Sequence, residues 1–246
     1  MILLFSVKSY SQKNTEKFRD FKADGFYHSI NLSANLKMGN EEFYKYQGDY
    51  RIDLYQPNFI TYLVGNIEYK EGNRSLITNK GFAHWRLILN KDKFAEPEIF
   101  SQIEYNDFIS LKERFVGGGG LRINPFNKSA SDSIHKITVE FGIGFMYEYE
   151  EVADTAKPLT KYIRSTNFLS LRYTFQDNVN IFSVTYFQPY LGNISDFRLL
   201  HESRFSVSIN KFLAFFVSGI YRFDNEPPTG LKKYDFELQN GITINF

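Results

Sequence analysis

The chain has 246 residues, of which 29 are basic and 28 acidic, and its net charge of +1 argues against a surface that binds nucleic acid. It has no cysteine, which excludes disulfides, thiolate nucleophiles and cysteine-based zinc sites. The four histidines, His28, His84, His135 and His201, lack the spacing of metal ligands, so we expect neither a metal nor another cofactor.

The amino terminus resembles the end of a secretory signal peptide. A short apolar run, Met1 to Val7, precedes small residues at Ser9 and Ser11, the kind of positions that a signal peptidase reads. We expect residues 1–11 to be a signal-peptide remnant and residues 12–24 a polar periplasmic segment. The alternative is a disordered or edge-packed first segment. No linker or shift in composition divides residues 25–246, which we expect to form one domain.

From Gly25 onward, apolar and polar residues alternate in runs that predict β-strands. In one regular run, Ile137, Val139 and Phe141 share a face and oppose Lys136 and Thr138. Eleven such runs precede the carboxyl-terminal one, at about 26–38, 44–54, 59–69, 83–90, 98–106, 111–124, 136–149, 163–175, 179–188, 197–209 and 212–223.

Four consecutive glycines, Gly117 to Gly120, interrupt the sixth run. A phosphate-binding loop would need a following Lys and Ser or Thr and the start of a helix, and neither is present. Glycine within a strand more often marks a bend, a bulge or a place where a bulky neighbour lies across the backbone. We therefore interpret these glycines as structural.

The last run, Leu231 to Phe246, alternates regularly and ends on an aromatic residue. The terminal Phe246 resembles the signal by which bacterial outer-membrane β-barrels are recognised for insertion. With this run the number of strands is about twelve, an even number that puts both chain ends on the same side. We predict a closed antiparallel transmembrane β-barrel in which the last strand pairs with the one that begins near Gly25.

Composition favours a membrane barrel over a soluble one. Aromatic residues make up 18% of the chain although its mean hydropathy is −0.35, and no run approaches eighteen consecutive apolar residues. A barrel hides its apolar belt at every second position. Tyrosines near the run ends fit an interfacial girdle, namely Tyr69, Tyr147, Tyr149, Tyr162 and Tyr221. A soluble periplasmic β-barrel that binds an apolar ligand is an alternative.

The polar faces of the runs carry charges of both signs, with arginine prominent. Opposite charges can remain hydrogen-bonded inside a barrel, whereas an ordinary solvated surface is the alternative explanation. We predict a structural, lumen-facing charge network of Arg51, Arg122, Glu140, Arg164, Arg172, Glu202, Arg204, Asp235 and Glu237. Arg114 and Arg198 lie on the same polar face.

One pair of residues suggests chemistry. His201 and Ser203 lie two positions apart, so both project from the face that also holds Phe205. Outer-membrane phospholipases and lipid A deacylases use a similar His-x-Ser pair, in which His activates Ser for attack on an acyl ester. Those families continue with Asn, whereas Arg204 follows here, and the sequence offers no obvious residue to orient the histidine. We expect no enzyme, and keep a lipid-directed hydrolase as an alternative.

Several short segments resemble one family over about Gly25 to Phe246. They are Leu36–Asn40, Gly117–Arg122, Phe197–Ser203, Tyr221–Pro228 and Lys232–Asp235. The pattern is similar to that of the salt-induced outer-membrane protein family, domain of unknown function 481. The resemblance implies a β-barrel in the outer membrane of a Gram-negative bacterium, with outer-membrane lipid and the barrel-insertion machinery as partners. The family's activity is undefined, so small-solute passage and an envelope or osmotic stress response are the roles we expect.

Overall fold

The computed structural model describes residues 24–38, 42–72, 75–107, 110–125, 130–131, 135–153, 158–176, 178–210, 213–227 and 232–244. Most of these residues lie in thirteen β-strands. The strands are β1 (Gly25–Lys37), β2 (Phe43–Tyr55), β3 (Phe59–Gly72), β4 (Ser75–Leu89), β5 (Ala95–Asn106), β6 (Leu111–Ile123), β7 (Ala130–Ser131), β8 (His135–Val152), β9 (Leu159–Phe175), β10 (Val179–Tyr190), β11 (Asn193–Ser208), β12 (Leu213–Asp224) and β13 (Tyr234–Ile244). Residues 1–23 and Phe246, which carry the expected signal-peptide remnant, most of the polar segment and the insertion signal, lie outside the described residues.

The strands form one antiparallel sheet in which neighbours in sequence are neighbours in space. Twelve strands follow one another in the order β1 to β6 and then β8 to β13, and β7 pairs with β8 outside this path. The sequence predicts about twelve strands, and β7 is the additional one because two residues are too short to show an alternation. Strands β1 and β13 stand at the two ends of the order. No helix in the described ranges is long and apolar enough to span a membrane.

The two faces of the sheet are inverted relative to a water-soluble protein. In β8, Glu140 and Glu148 are buried on one face, while Phe141, Ile143 and Phe145 on the other face are about half exposed. Because successive side chains of a strand point to opposite faces, the alternation in the sequence produces this separation directly. The sheet therefore buries its charged face and exposes its apolar face.

The sheet curves around its buried face. Arg198 on β11 contacts Glu148 on β8 although β9 and β10 lie between these strands, and Arg164 on β9 contacts Asp196 on β11 across β10. A small recess of about 50 Å³ on this face is lined by residues from β4 through β11. The buried face is thus the interior of a curved sheet.

The interior also contains apolar clusters, whereas the sequence predicts a polar interior face. They consist of Tyr55, Ile60, Tyr62, Val64 and Ile88; of Phe168, Val184, Tyr186, Leu200 and Ile220; and of Phe100, Val116 and Met146. Tyr162, predicted for an outer girdle, lies on the interior face, where it stacks on Tyr190 with ring centroids 4.1 Å apart. Side chains inside a curved sheet pack against one another, so apolar groups have a place there too.

Glycines in β6 and β8 make room for interior aromatic rings, in agreement with the structural interpretation of Gly117 to Gly120. A Cβ on Gly118 would lie 2.8 Å from the ring of Phe100 and 2.5 Å from the Phe145 carbonyl oxygen. A Cβ on Gly142 would lie 1.9 Å from the ring of Phe168. These positions lack a side chain because a ring or a neighbouring backbone occupies its space.

Replacing Gly142 by alanine should destabilise the sheet. The Phe168 ring is buried and covered by the Arg122 guanidinium at 4.7 Å, so it has little room to move away from the new methyl group. Overpacking of this kind costs about 1–3 kcal/mol. The free energy of unfolding in urea, measured on protein refolded into lipid vesicles, should fall by that amount.

Gly219→Ala is the matched control, because its Cβ would meet only the Phe236 ring, at an ordinary 3.7 Å. An equal loss of stability in both variants would contradict steric packing of Phe168 over Gly142.

Candidate functional site

The centre of the interior is one carboxylate bound by three arginines. Glu148 on β8 accepts from Nη2 of Arg114 at 2.5 Å, from Nη1 of Arg198 at 2.7 Å and from Nε of Arg164 at 3.1 Å. The Glu148 side chain is fully buried and the three guanidiniums nearly so. The contacts join β8 to β6, β9 and β11, and therefore hold the curvature of this part of the sheet.

Further carboxylates surround these three arginines. Glu104 lies 3.2 Å from Arg114, Asp196 lies 2.9 Å from Arg164, and Asp224 lies 2.8 Å from Arg198. Glu150 lies 3.3 Å from Arg198 and 3.6 Å from Arg114. A buried charge is costly unless it is paired and hydrogen-bonded, and here each guanidinium has several carboxylate partners.

A second charged cluster lies on β4 to β8, at the end of the sheet where β1 begins. Arg122, which is fully buried, contacts Glu98 at 3.0 Å and Glu140 at 3.2 Å. Arg86 shares the same oxygen of Glu98, at 3.2 Å. Both guanidiniums also lie over aromatic rings, Arg122 over Phe168 at 4.7 Å and Arg86 over Phe100 at 5.1 Å.

Between the two clusters lie the apolar group of Phe100, Val116 and Met146 and the small recess. A polar relay reaches this recess: His84 Nδ1 lies 3.2 Å from Oε1 of Gln102, whose Nε2 donates to Glu104 at 3.0 Å. The interior therefore alternates charged, apolar and charged layers. No set of three or more His, Asp or Glu side chains in the described ranges is arranged to hold a metal.

All nine residues predicted for a charge network lie on the interior face, but in different surroundings. Arg122 contacts Glu140 directly, whereas Arg164 belongs to the Glu148 cluster. The others are dispersed. Arg51 pairs with Asp53 at 2.7 Å, and Glu237 lies 3.6 Å from Arg222. Arg172 lies over the Phe182 ring and Arg204 over the Phe216 ring, while Glu202 and Asp235 are buried.

The central member, Glu148, is missing from the predicted network. Its signal in the sequence is a charge between two aromatic residues, Tyr147 and Tyr149, in the most regular run. Arg114 and Arg198 lie 34 and 50 residues from Glu148, and the register that joins the strands places them beside it. Such a convergence depends on pairing and curvature, which alternation alone does not specify.

The predicted pair His201 and Ser203 lies on the opposite, outer face and is hydrogen-bonded. Ser203 Oγ is 2.8 Å from His201 Nε2, and Ser183 Oγ is 3.3 Å from Ser203 Oγ. Thr185 Oγ1 is 2.9 Å from His201 Nδ1, because β10 pairs with β11 in a register that places Thr185 opposite His201. A residue that can orient the histidine is thus present on the neighbouring strand, although the sequence did not reveal it.

Comparisons with known proteins agree with this architecture. A family model described as "Protein of unknown function, DUF481" matches residues 30–246, which confirms the family resemblance. A solved structure of the NanC porin is similar in fold, with a TM-score of 0.50 and 9% identity over 90% of this chain and 99% of the porin chain. No curated protein matches the sequence.

Neutralising the central carboxylate should destabilise the protein strongly. Glu148→Gln removes the negative charge between Arg114, Arg164 and Arg198 and leaves three buried guanidiniums around a neutral amide. Removing one partner of a buried ion pair costs about 3–5 kcal/mol. Urea unfolding in lipid vesicles should report a loss of this size.

Glu151→Gln is the control, because Glu151 pairs with the exposed Lys112 at 2.8 Å. It should change stability little. If the two variants were equally stable, the Glu148 cluster would not hold the sheet together.

Proposed function

This chain belongs to the DUF481 family of proteins of unknown function, and we propose that it is a closed β-barrel of the Gram-negative outer membrane that passes small solutes. The observation that carries the proposal is the inverted sheet, with buried charges on its interior face and exposed apolar side chains on its outer face. A transmembrane barrel turns its apolar face to lipid and its polar face to the lumen. Likeness to a porin fold supports the same architecture.

The exposed face suits a lipid environment. Phe145, Ile143 and Phe236 are 56–65% exposed, and similar apolar residues continue along the outward positions of the other strands. A soluble protein rarely leaves so extensive an apolar surface in water. The twelve strands of the main path are 11 to 18 residues long, which reaches or exceeds the roughly 9–11 residues that a tilted strand needs to cross a bilayer.

Closure requires β13 to pair with β1. Antiparallel pairing is possible because an even number of strands in the main path makes β13 run opposite to β1 and brings both chain ends to one side. Residues 12–24 would then extend into the periplasm from that side, after cleavage of a signal peptide of which residues 1–11 are the remnant. Phe246 would serve the barrel-insertion machinery, with outer-membrane lipid as the surrounding partner.

Passage of solutes is supported by uneven filling of the interior. The inner faces of β4 to β12 hold two of the three apolar clusters and both ionic clusters. The third apolar cluster packs the part of β2, β3 and β4 near the start of β1, whereas Gln47, Asp49 and Asn66, nearer the other end of β2 and β3, are only half-buried. Asn66 Nδ2 donates to Asp49 Oδ1 at 2.6 Å, and Gln47 Nε2 donates to Asp49 Oδ2 at 3.4 Å. A hydrated path along this wall would suit small polar solutes and an envelope role under osmotic stress.

A closed membrane barrel should require detergent for extraction and should migrate faster on SDS gels before heating than after. Reconstituted in a planar bilayer, the protein should give discrete conductance steps in potassium chloride. Extraction without detergent together with no heat-dependent shift would instead support a soluble periplasmic barrel for an apolar ligand. A heat-dependent shift without conductance would indicate a plugged lumen and contradict solute passage.

A second candidate function, hydrolysis of lipid acyl esters, is favoured by the Ser203, His201 and Thr185 chain on the outer face. Thr185 Oγ1 can accept from His201 Nδ1, which leaves Nε2 free to take the Ser203 proton during attack on an acyl carbonyl. Gly219 is directly opposite Ser203 on β12, and the Phe236 ring lies 3.7 Å from the place that a Cβ on Gly219 would occupy. Leu199 and Phe205 flank the pair on the same face and would contact acyl chains.

The hydrolase candidate predicts cleavage of a fluorescent phospholipid in proteoliposomes, and its loss in Ser203→Ala and His201→Ala. Ser165→Ala is the control, because Ser165 also lies on the outer face but is bonded to Asn167 and the Gly144 carbonyl. All variants should keep the heat-dependent gel shift. Cleavage that persists in Ser203→Ala, or none by the unaltered protein, would exclude this function.

A further inference from the structure

Two lysines on the interior face share a single carboxylate, and a third lysine lies beside them. Glu68 on β3 lies 3.5 Å from Nζ of Lys45 on β2 and 3.7 Å from Nζ of Lys80 on β4. Lys70 lies two positions further along β3, on the same face, with its Nζ 4.7 Å from the ring centre of Phe43. We call Lys45, Lys70, Lys80 and Glu68 the lysine patch.

The register of the sheet places two of these lysines opposite each other, so their repulsion destabilises the sheet unless a negative charge offsets it. Lys45 lies directly opposite Lys70 in the pairing of β2 with β3. Like charges in opposite positions of neighbouring strands destabilise a sheet. The two oxygens of Glu68 are divided between Lys45 and Lys80, so the patch keeps a surplus of two positive charges.

The charge balance is the reverse of that in the buried clusters. Arg114, Arg164 and Arg198 share five carboxylates, whereas Lys45 and Lys80 share one and Lys70 lies beside them over the Phe43 ring. The buried carboxylates are covered by packed side chains, with Glu148 fully buried, but the side chains of Lys45 and Lys80 are 30% and 36% exposed. The lysine patch is therefore a charged surface that water and solutes in the interior can reach, as are Arg222 on β12 and Glu237 on β13.

The position of the patch suits an entrance. Lys45, Lys70 and Lys80 lie towards the end of the sheet opposite to the end at which β1 begins and β13 ends. They stand beside the half-buried polar wall of Gln47, Asp49 and Asn66. A compact ammonium group attracts anions as a point charge, and lysine or arginine side chains are the usual lining of anion-selective pores.

We propose that the lysine patch is a binding site for small anionic solutes at one mouth of the lumen, and that it makes passage selective for anions. This inference rests on the proposed function, because it assigns the charge of the solutes that the barrel admits. Carboxylate-bearing and phosphate-bearing solutes share the chemistry that the ammonium groups recognise.

The reversal potential across a planar bilayer with a tenfold gradient of potassium chloride tests the selectivity. The unaltered protein should be more permeable to chloride than to potassium. Lys45→Gln combined with Lys80→Gln removes the charge surplus and should lower the chloride-to-potassium permeability ratio at least twofold. Screening by salt should weaken the effect at high concentration.

The matched control is Lys112→Gln combined with Lys161→Gln, which removes two exposed lysines paired with Glu151 or lying over the Tyr149 ring. It should leave the permeability ratio unchanged. Cation selectivity in the unaltered protein, or equal ratios in the two double variants, would overturn the anion site while leaving solute passage intact. Absence of any current from protein that shows the heat-dependent shift would overturn the proposed function itself.

A second measurement does not need current, because the chain has no cysteine. Lys70→Cys provides a single thiol beside Lys45 and Lys80, and an anionic methanethiosulfonate reagent should modify it several times faster than a cationic one. Inorganic phosphate and acetate should each slow the modification, and the stronger protector identifies the preferred anion. Equal rates with both reagents would contradict the site.

Discussion

The contact of Glu148 with Arg114, Arg164 and Arg198 is the interaction on which the interior depends. A carboxylate or a guanidinium removed from water needs an opposite charge and hydrogen bonds, and on a flat sheet side chains from β8 and β11 could not meet. Curvature brings them together, and the resulting ion pairs in turn hold the four strands at that curvature. The ion pairs thus require the curvature of the sheet and also stabilise it.

The same curvature explains why apolar groups lie on both faces. Side chains on the concave face converge, so Phe100, Val116 and Met146 pack between charged layers, and glycines at 118 and 142 are needed where rings press against the backbone. On the convex face side chains diverge and cannot cover one another. Their apolar surface therefore needs another covering, and in the proposed membrane barrel lipid would supply it without requiring any particular pair of side chains to interlock.

The sequence predicts local features well and long-range ones poorly. Alternation is a property of the pleat, so the predicted run at 136–149 corresponds to β8 and the run at 179–188 to β10, with ends shifted by a few residues. The first half of β4 was missed because Thr78, Asn79, Lys80 and Gly81 do not alternate. Glu148 and Thr185 acquire their partners through register and curvature, which join positions tens of residues apart.

Charged side chains are paired and buried on β4 to β11 but are partly exposed on β2 to β4. This difference connects the fold to the proposed passage of solutes. On β4 to β11 the guanidiniums are buried and paired with carboxylates, which are in excess, an arrangement that holds the sheet but leaves few of these charges for a solute to meet. On β2 to β4, Lys45 and Lys80 share the Glu68 carboxylate and remain in contact with water. Repulsion between the lysines costs stability, and no further carboxylate in the patch offsets it. In the proposed barrel, the charge surplus of the lysine patch would attract a mobile counterion, since the one Glu68 carboxylate does not balance three ammonium groups. In the proposed barrel, the interior thus combines a packed region that fixes the shape of the sheet with a positively charged region that would act on solutes.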